Sequence, residues 1–125
     1  MYGKWTSVML VAGALFLVAT PARADRAGCL QYCNDLTSGN YAQSYQELNN
    51  CDLNASDGFE QCNNDAYDEY CITGDYCDWA SLDMELNSCE ALYNATEGAC
   101  TSMWNATNSL IAANLQSCVD SCPAE

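Results

Sequence analysis

Eight cysteines of this chain are spaced as mirror images about one short loop, and that symmetry constrains the fold more than any other feature. The position numbers of Cys29 and Cys122, Cys33 and Cys118, Cys51 and Cys100, and Cys62 and Cys89 each sum to 151. A chain that folds back on itself between Cys62 and Cys89 brings all four pairs level. The two remaining cysteines, Cys71 and Cys77, flank the loop Ile72-Thr73-Gly74-Asp75-Tyr76 and can close its tip. Their positions sum to 148, so the tip sits off the mirror centre. The mirror therefore nominates five nested disulfides, Cys29–Cys122, Cys33–Cys118, Cys51–Cys100, Cys62–Cys89 and Cys71–Cys77.

Disulfides require an oxidising compartment, and the start of the chain supplies a route to one. Lys4 precedes an apolar run from Val8 to Ala19, and Ala22-Arg23-Ala24 has the small-x-small form of a cleavage site. Residues 1–24 read as a signal peptide cut before Asp25. The apolar run is too short to span a bilayer, which needs about 20 residues. Residues 25–125 then form a single cysteine-rich acidic domain, secreted or periplasmic, with no membrane association after cleavage. Zinc is the competing use of cysteine, but the chain has no histidine and no C-x2-C pair.

Between Ala22 and Cys122 there is no proline, β-branched residues are sparse, and apolar positions recur every three or four residues. Cys33, Leu36, Tyr41, Tyr45, Leu48, Cys51, Ala55, Phe59 and Cys62 trace one such stripe, and Leu82, Leu86, Cys89, Tyr93, Cys100, Ile111, Leu115 and Cys118 another. These are amphipathic helices with the cysteines inside the apolar stripe. At about 100° per residue, Cys33, Cys51 and Cys62 share a face, as do Cys89, Cys100 and Cys118, provided each helix is unbroken between them.

Local signals argue for breaks. Thr37-Ser38-Gly39-Asn40 reads as a stop and restart, and Asn54-Ala55-Ser56-Asp57-Gly58 and Asn94-Ala95-Thr96-Glu97-Gly98 carry cap, acid and glycine in order. The expected fold is all-α: a disulfide-rich helical hairpin or small bundle of about four to five helices. Its inner hairpin runs about from Asp57 to Cys71 against Cys77 to Tyr93. Its outer helices run roughly from Arg26 to Leu53, in two pieces, and from Thr96 to Cys122. A 38-residue recurrence competes with the mirror, since Cys33, Cys51 and Cys62 return as Cys71, Cys89 and Cys100. It suggests a duplicated helical pair. The terminal C-x3-C pairs resemble the twin C-x3-C hairpins of coiled-coil-helix proteins, although there the two motifs lie close in sequence.

From Asp25 onward one arginine, Arg26, faces 17 carboxylates, a formal charge of −16. Such a surface repels nucleic acid and anionic membranes and attracts basic proteins or cations. Without histidine, and with lysine confined to position 4, the usual nucleophile–base arrangements are missing. Only carboxylate pairs remain for acid–base chemistry. The chain is therefore expected to bind rather than catalyse: an interaction module for a basic partner, with a calcium-binding module as the alternative and a carboxylate-based hydrolase behind both.

Calcium has two candidate sites. Asp52-x-Asn54-x-Ser56-Asp57-Gly58 resembles the opening of an EF-hand loop, with the glycine one place late and Asn63 where the bidentate acid belongs. Around the loop, Asp68, Asp75 and Asp78 can converge on a cation if the tip closes. Trp79, Trp104 and the tyrosines are numerous enough to form an adhesive surface, but most lie on or beside the apolar stripes, so core packing is the expected role. Asn54, Asn94 and Asn105 begin glycosylation sequons that matter only in a eukaryotic secretory pathway.

Overall fold

The structure is a computed structural model, described here for residues 25–72 and 76–124. Residues 1–24, where the sequence suggests a signal peptide, the loop residues Thr73, Gly74 and Asp75, and Glu125 lie outside the described residues. Two long helices, α1 (Arg26–Tyr70) and α2 (Trp79–Asp120), are joined by two short strands, β1 (Cys71–Ile72) and β2 (Tyr76–Cys77). At 1.5 Å per residue the 45 residues of α1 and 42 of α2 make a rod about 65 Å long. No helix among the described residues is long and apolar enough to cross a membrane.

All ten cysteines are paired, in the same five pairs that the mirrored spacing nominates. The four bonds between helices hold their Cα atoms 5.7 to 5.8 Å apart. With each Cα about 2.3 Å from its axis, the axes lie no more than about 10 Å apart, the ordinary packing distance of helices.

The fold is all-α and disulfide-rich, but the described residues form two helices rather than four to five. Thr37 to Asn40, Asn54 to Gly58 and Asn94 to Gly98 are continuous helix. The division into inner and outer helices is therefore corrected to one unbroken arm on each side. The physical reason is a contest of magnitudes. A glycine inside a helix costs about 1 kcal/mol relative to alanine, and no proline removes a hydrogen bond. Each suspected break lies between two interhelical disulfides, which hold both flanks in helical register. The cap-like side chains bond along the helix instead: Thr37 Oγ1 donates to the Cys33 carbonyl at 2.7 Å and Thr96 Oγ1 to the Leu92 carbonyl at 2.8 Å.

With the arms unbroken, an eleven-residue rhythm emerges. Cys33, Ser44, Ala55 and Ala66 are buried on α1 at steps of eleven. Cys89, Cys100, Ile111 and Cys122 are buried at the same step along α2 and just beyond it. A second pair of stripes keeps that step on the flank, Thr37, Leu48, Phe59 and Tyr70 against Leu82, Tyr93, Trp104 and Leu115, every member buried or half-buried. Small side chains predominate at the directly facing positions, Ile111 excepted, and mostly large ones line the flank. Eleven residues in three turns is 3.67 per turn, so the repeat favours nearly straight helices with a slight right-handed wind.

The 38-residue recurrence does not correspond to repeated structure. Cys33 lies within α1 and bonds across to α2, whereas its counterpart Cys71 lies in β1 and bonds to β2. The core is densest at the open end of the hairpin, where Leu30, Leu115, Cys118 and Val119 pack on Cys29, Cys33 and Cys122. There Asp25 caps α1 by accepting from the Gly28 amide. Arg26 donates to the Pro123 carbonyl at 3.2 Å, tying the start of α1 to the segment after α2.

Candidate functional site

At the closed end the chain crosses from one helix to the other as a two-stranded antiparallel pair. Cys71 stands opposite Cys77 and Ile72 opposite Tyr76. The Cys71–Cys77 bond spans this pair with Cα atoms 4.1 Å apart. Its register follows a sum of 148 rather than 151, so the strands do not extend the helical ladder but close it off. The Asp78 amide donates to the Tyr70 carbonyl at 2.8 Å, sealing the junction between the arms.

Side chains on a strand alternate between faces. With Cys71 and Cys77 joined on one face, Ile72 and Tyr76 occupy the other, as cross-strand neighbours. Ile72 is 71% exposed, Tyr76 75% and Trp79, the first residue of α2, 69%. Tyr67 on the last turns of α1 is exposed as well. Trp79 was expected in the core; the structure places it in solvent, while Trp104 is half-buried on the flanking stripe. The tip therefore presents large apolar side chains on a frame fixed by a disulfide, a strand pair and two helix ends. The spacing of the aromatics favoured the core over an adhesive surface, and at the tip the surface reading is the one that matches the exposures. The signal for the cluster is the run of Ile72, Tyr76 and Trp79 around the two loop cysteines.

Carboxylates lie beside the tip in the chain. Asp68 and Glu69 are exposed at the end of α1, and Asp78 is exposed at the start of α2. Asp78 is engaged as the N-cap of α2: one oxygen accepts from the Ser81 hydroxyl at 2.7 Å and the other from the Ser81 amide at 3.4 Å. The Ser81 hydroxyl, with help from its amide, lowers the Asp78 pKa below its ordinary value. The Glu69 charge beside Tyr70 is the main reason that the Tyr70 pKa is raised.

Of the calcium candidates, Asp75 lies outside the described residues, and Asp68 and Asp78 belong to no described group of three clustered acids. The segment Asp52 to Gly58 is helix throughout, so it does not form an EF-hand loop, whose ligands converge only when the backbone curls around the ion. The sequon residues Asn54, Asn94 and Asn105 are exposed in mid-helix.

Halfway along the rod, an open cavity of about 150 Å³ lies between the Cys51–Cys100 and Cys62–Cys89 bonds, lined by Ala55, Gly58, Phe59, Leu92, Tyr93 and Thr96 among others. It forms where small residues of the facing stripe leave room beside the Phe59 and Tyr93 rings. Its lining is mainly apolar and carries no ionised group.

The chain matches no protein-family model, no curated protein and no solved structure at a significant level.

Proposed function

We propose that the chain is an exported, disulfide-stapled binding module whose tip meets a basic partner that also carries apolar side chains. The observation that carries this reading is the exposure of Ile72, Tyr76 and Trp79 together on a cross-linked tip bordered by Asp68, Glu69 and Asp78. Tyrosine and tryptophan are the side chains that most often dominate binding energy at interfaces. Holding them on a rigid frame reduces the ordering cost of association. These carboxylates, and a formal charge of −16 from Asp25 onward, steer a cationic partner toward the tip and repel nucleic acid. Five disulfides suit an oxidising compartment, in line with secretion or a periplasmic location.

The test uses Trp79 as its own reporter. In a Trp104→Phe background it is the sole tryptophan after residue 24. Titration with a peptide alternating arginine and leucine should shift its emission at low salt. Tyr76→Ala should weaken the binding severalfold, and salt should weaken it further by screening exposed charges. Binding that ignores both Tyr76→Ala and high salt would overturn the reading.

A further inference from the structure

We propose that the two disulfides at the open end form a thiol–disulfide exchange site, entered at Cys118 and relayed by Cys33 to Cys122. The spacing of four residues in each terminal pair sets Cys29 and Cys33 one turn apart on α1, with Cys118 and Cys122 level with them across the hairpin. This stacks the Cys29–Cys122 and Cys33–Cys118 bonds on each other. Although Cys33 and Cys122 belong to different bonds, their Sγ atoms lie 3.9 Å apart. The sulfurs of Cys29, Cys33 and Cys122 all fall within 4.8 Å of one another, and Cys118 is not a member of that group. Cys33 is thus the sulfur of its own bond that lies beside both sulfurs of the other.

Access is equally uneven. Cys29, Cys33 and Cys122 are 0%, 1% and 8% exposed, whereas Cys118 is only half-buried. An external thiolate reaches the pair through Cys118. For a small dithiol reductant the chemistry balances as follows. One of its thiolates bonds to Cys118 Sγ, the Cys33–Cys118 bond breaks, and the electron pair leaves on Cys33. The Cys33 thiolate then attacks Cys122 Sγ, forming Cys33–Cys122 and breaking Cys29–Cys122, with the pair leaving on Cys29. The second thiolate of the dithiol displaces Cys118 from the mixed disulfide. The dithiol ends oxidised by two electrons, and the protein ends with the Cys33–Cys122 bond and two protonated thiols, Cys29 and Cys118. Cys29 lies in the first turn of α1, where the helix dipole offsets part of the cost that burial puts on a departing thiolate.

Two single variants isolate the relay. Cys118→Ser leaves Cys33 as a thiol beside the Cys29–Cys122 bond, and Cys33→Ser leaves Cys118 as one. Backbone cleavage at Tyr32 and at Asp120 separates the cysteines within each pair, so the linked peptides are distinguishable under non-reducing conditions. Cys118→Ser should yield Cys33–Cys122 in amounts comparable to Cys29–Cys122, and Cys33→Ser should yield Cys29–Cys122 alone. Exchange in neither variant, or equal exchange in both, overturns the proposal. A second measurement uses the unaltered protein, in case a variant fails to fold. After limiting dithiol, acid quench and alkylation, the four terminal cysteines should show Cys33–Cys122 with Cys29 and Cys118 alkylated. Cys33 and Cys118 both alkylated beside an intact Cys29–Cys122 bond would sink the relay.

Discussion

Phe59 of α1 and Tyr93 of α2 meet across the hairpin with ring centroids 5.1 Å apart and planes tilted by 38°. They sit on the flanking stripes, between the Cys51–Cys100 and Cys62–Cys89 bonds, and couple the two arms where no covalent link does. Tilted aromatic pairs gain energy beyond their buried area. Replacing Phe59 or Tyr93 by alanine should each lower the melting temperature, and the double variant should lose less than the two losses combined. Strict additivity would show that the rings do not interact.

Gly39 and Gly98 are inside continuous helix, and a Cβ added at either would meet nothing within 4 Å. Alanine at each position should therefore stabilise the hairpin by about 0.5 to 1 kcal/mol, seen as a rise of several degrees in Tm. A loss of stability would mean that these glycines terminate helices after all.

Asn40 and Ile111 stand at a rung of the eleven-residue ladder that carries no disulfide, since their positions also sum to 151. Asn40→Cys combined with Ile111→Cys should form a sixth bond. A non-reducing peptide map reads it directly. Failure to link, with the other bonds intact, would show that the register slips between Cys33 and Cys51.

The Tyr93 hydroxyl donates to a Glu97 carboxylate oxygen at 2.6 Å, and this bond is the first reason that the Tyr93 pKa is raised above 10.0. A raised folded-state value means that the neutral phenol supports the fold fully below the unfolded pKa. That support is lost as pH climbs through the higher folded value. Absorbance titration should show late-ionising tyrosine, and Tyr93→Phe should remove part of that late fraction and flatten the alkaline decline in stability.

At the acid side the sign reverses. Asp78 has its pKa lowered by the Ser81 hydroxyl and amide, so its cap on α2 holds above the unfolded value and fails as pH falls through the folded one. Asp78→Asn keeps a capping oxygen without the charge. It should weaken that acid dependence in a melting series from pH 6 to 2, whereas Asp78→Ala should lower stability across the whole range.

Much of this architecture is written in the cysteines. The sum shared by Cys29 with Cys122 and by Cys62 with Cys89 contains the antiparallel topology and the register, because a constant sum is what a chain folded back on itself produces; helix rather than strand comes from the three- and four-residue apolar spacing. The helix count was not legible from local signals. Glycines and cap residues at Asn54 to Gly58 argue for a break with about 1 kcal/mol, and nothing local reveals that disulfides outweigh them. The buried ladder of Cys33, Ser44, Ala55 and Ala66 was equally hard to see. Cys33 and Ala55 fall in the apolar stripe, but a search for apolar periodicity passes over the polar Ser44, so the step of eleven is broken. At the tip, Trp79 continues no stripe at the first residue of its helix, and a spacing rule cannot tell which way such a side chain faces.

The eleven-residue step makes the hairpin a ruler with a defined unit. Adding eleven residues to α1 between Cys51 and Cys62, and eleven to α2 between Cys89 and Cys100, advances the tip by about 16 Å while turning it only about 20° about each helix axis. A heptad inserted in each arm lengthens the rod less, yet turns those axes by about 20° in the opposite sense. An insertion in one arm alone throws every rung beyond it out of step. Reach and aim of Ile72, Tyr76 and Trp79 are thus set by counting residues in matched pairs, so the length of such a rod can change only in both arms at once.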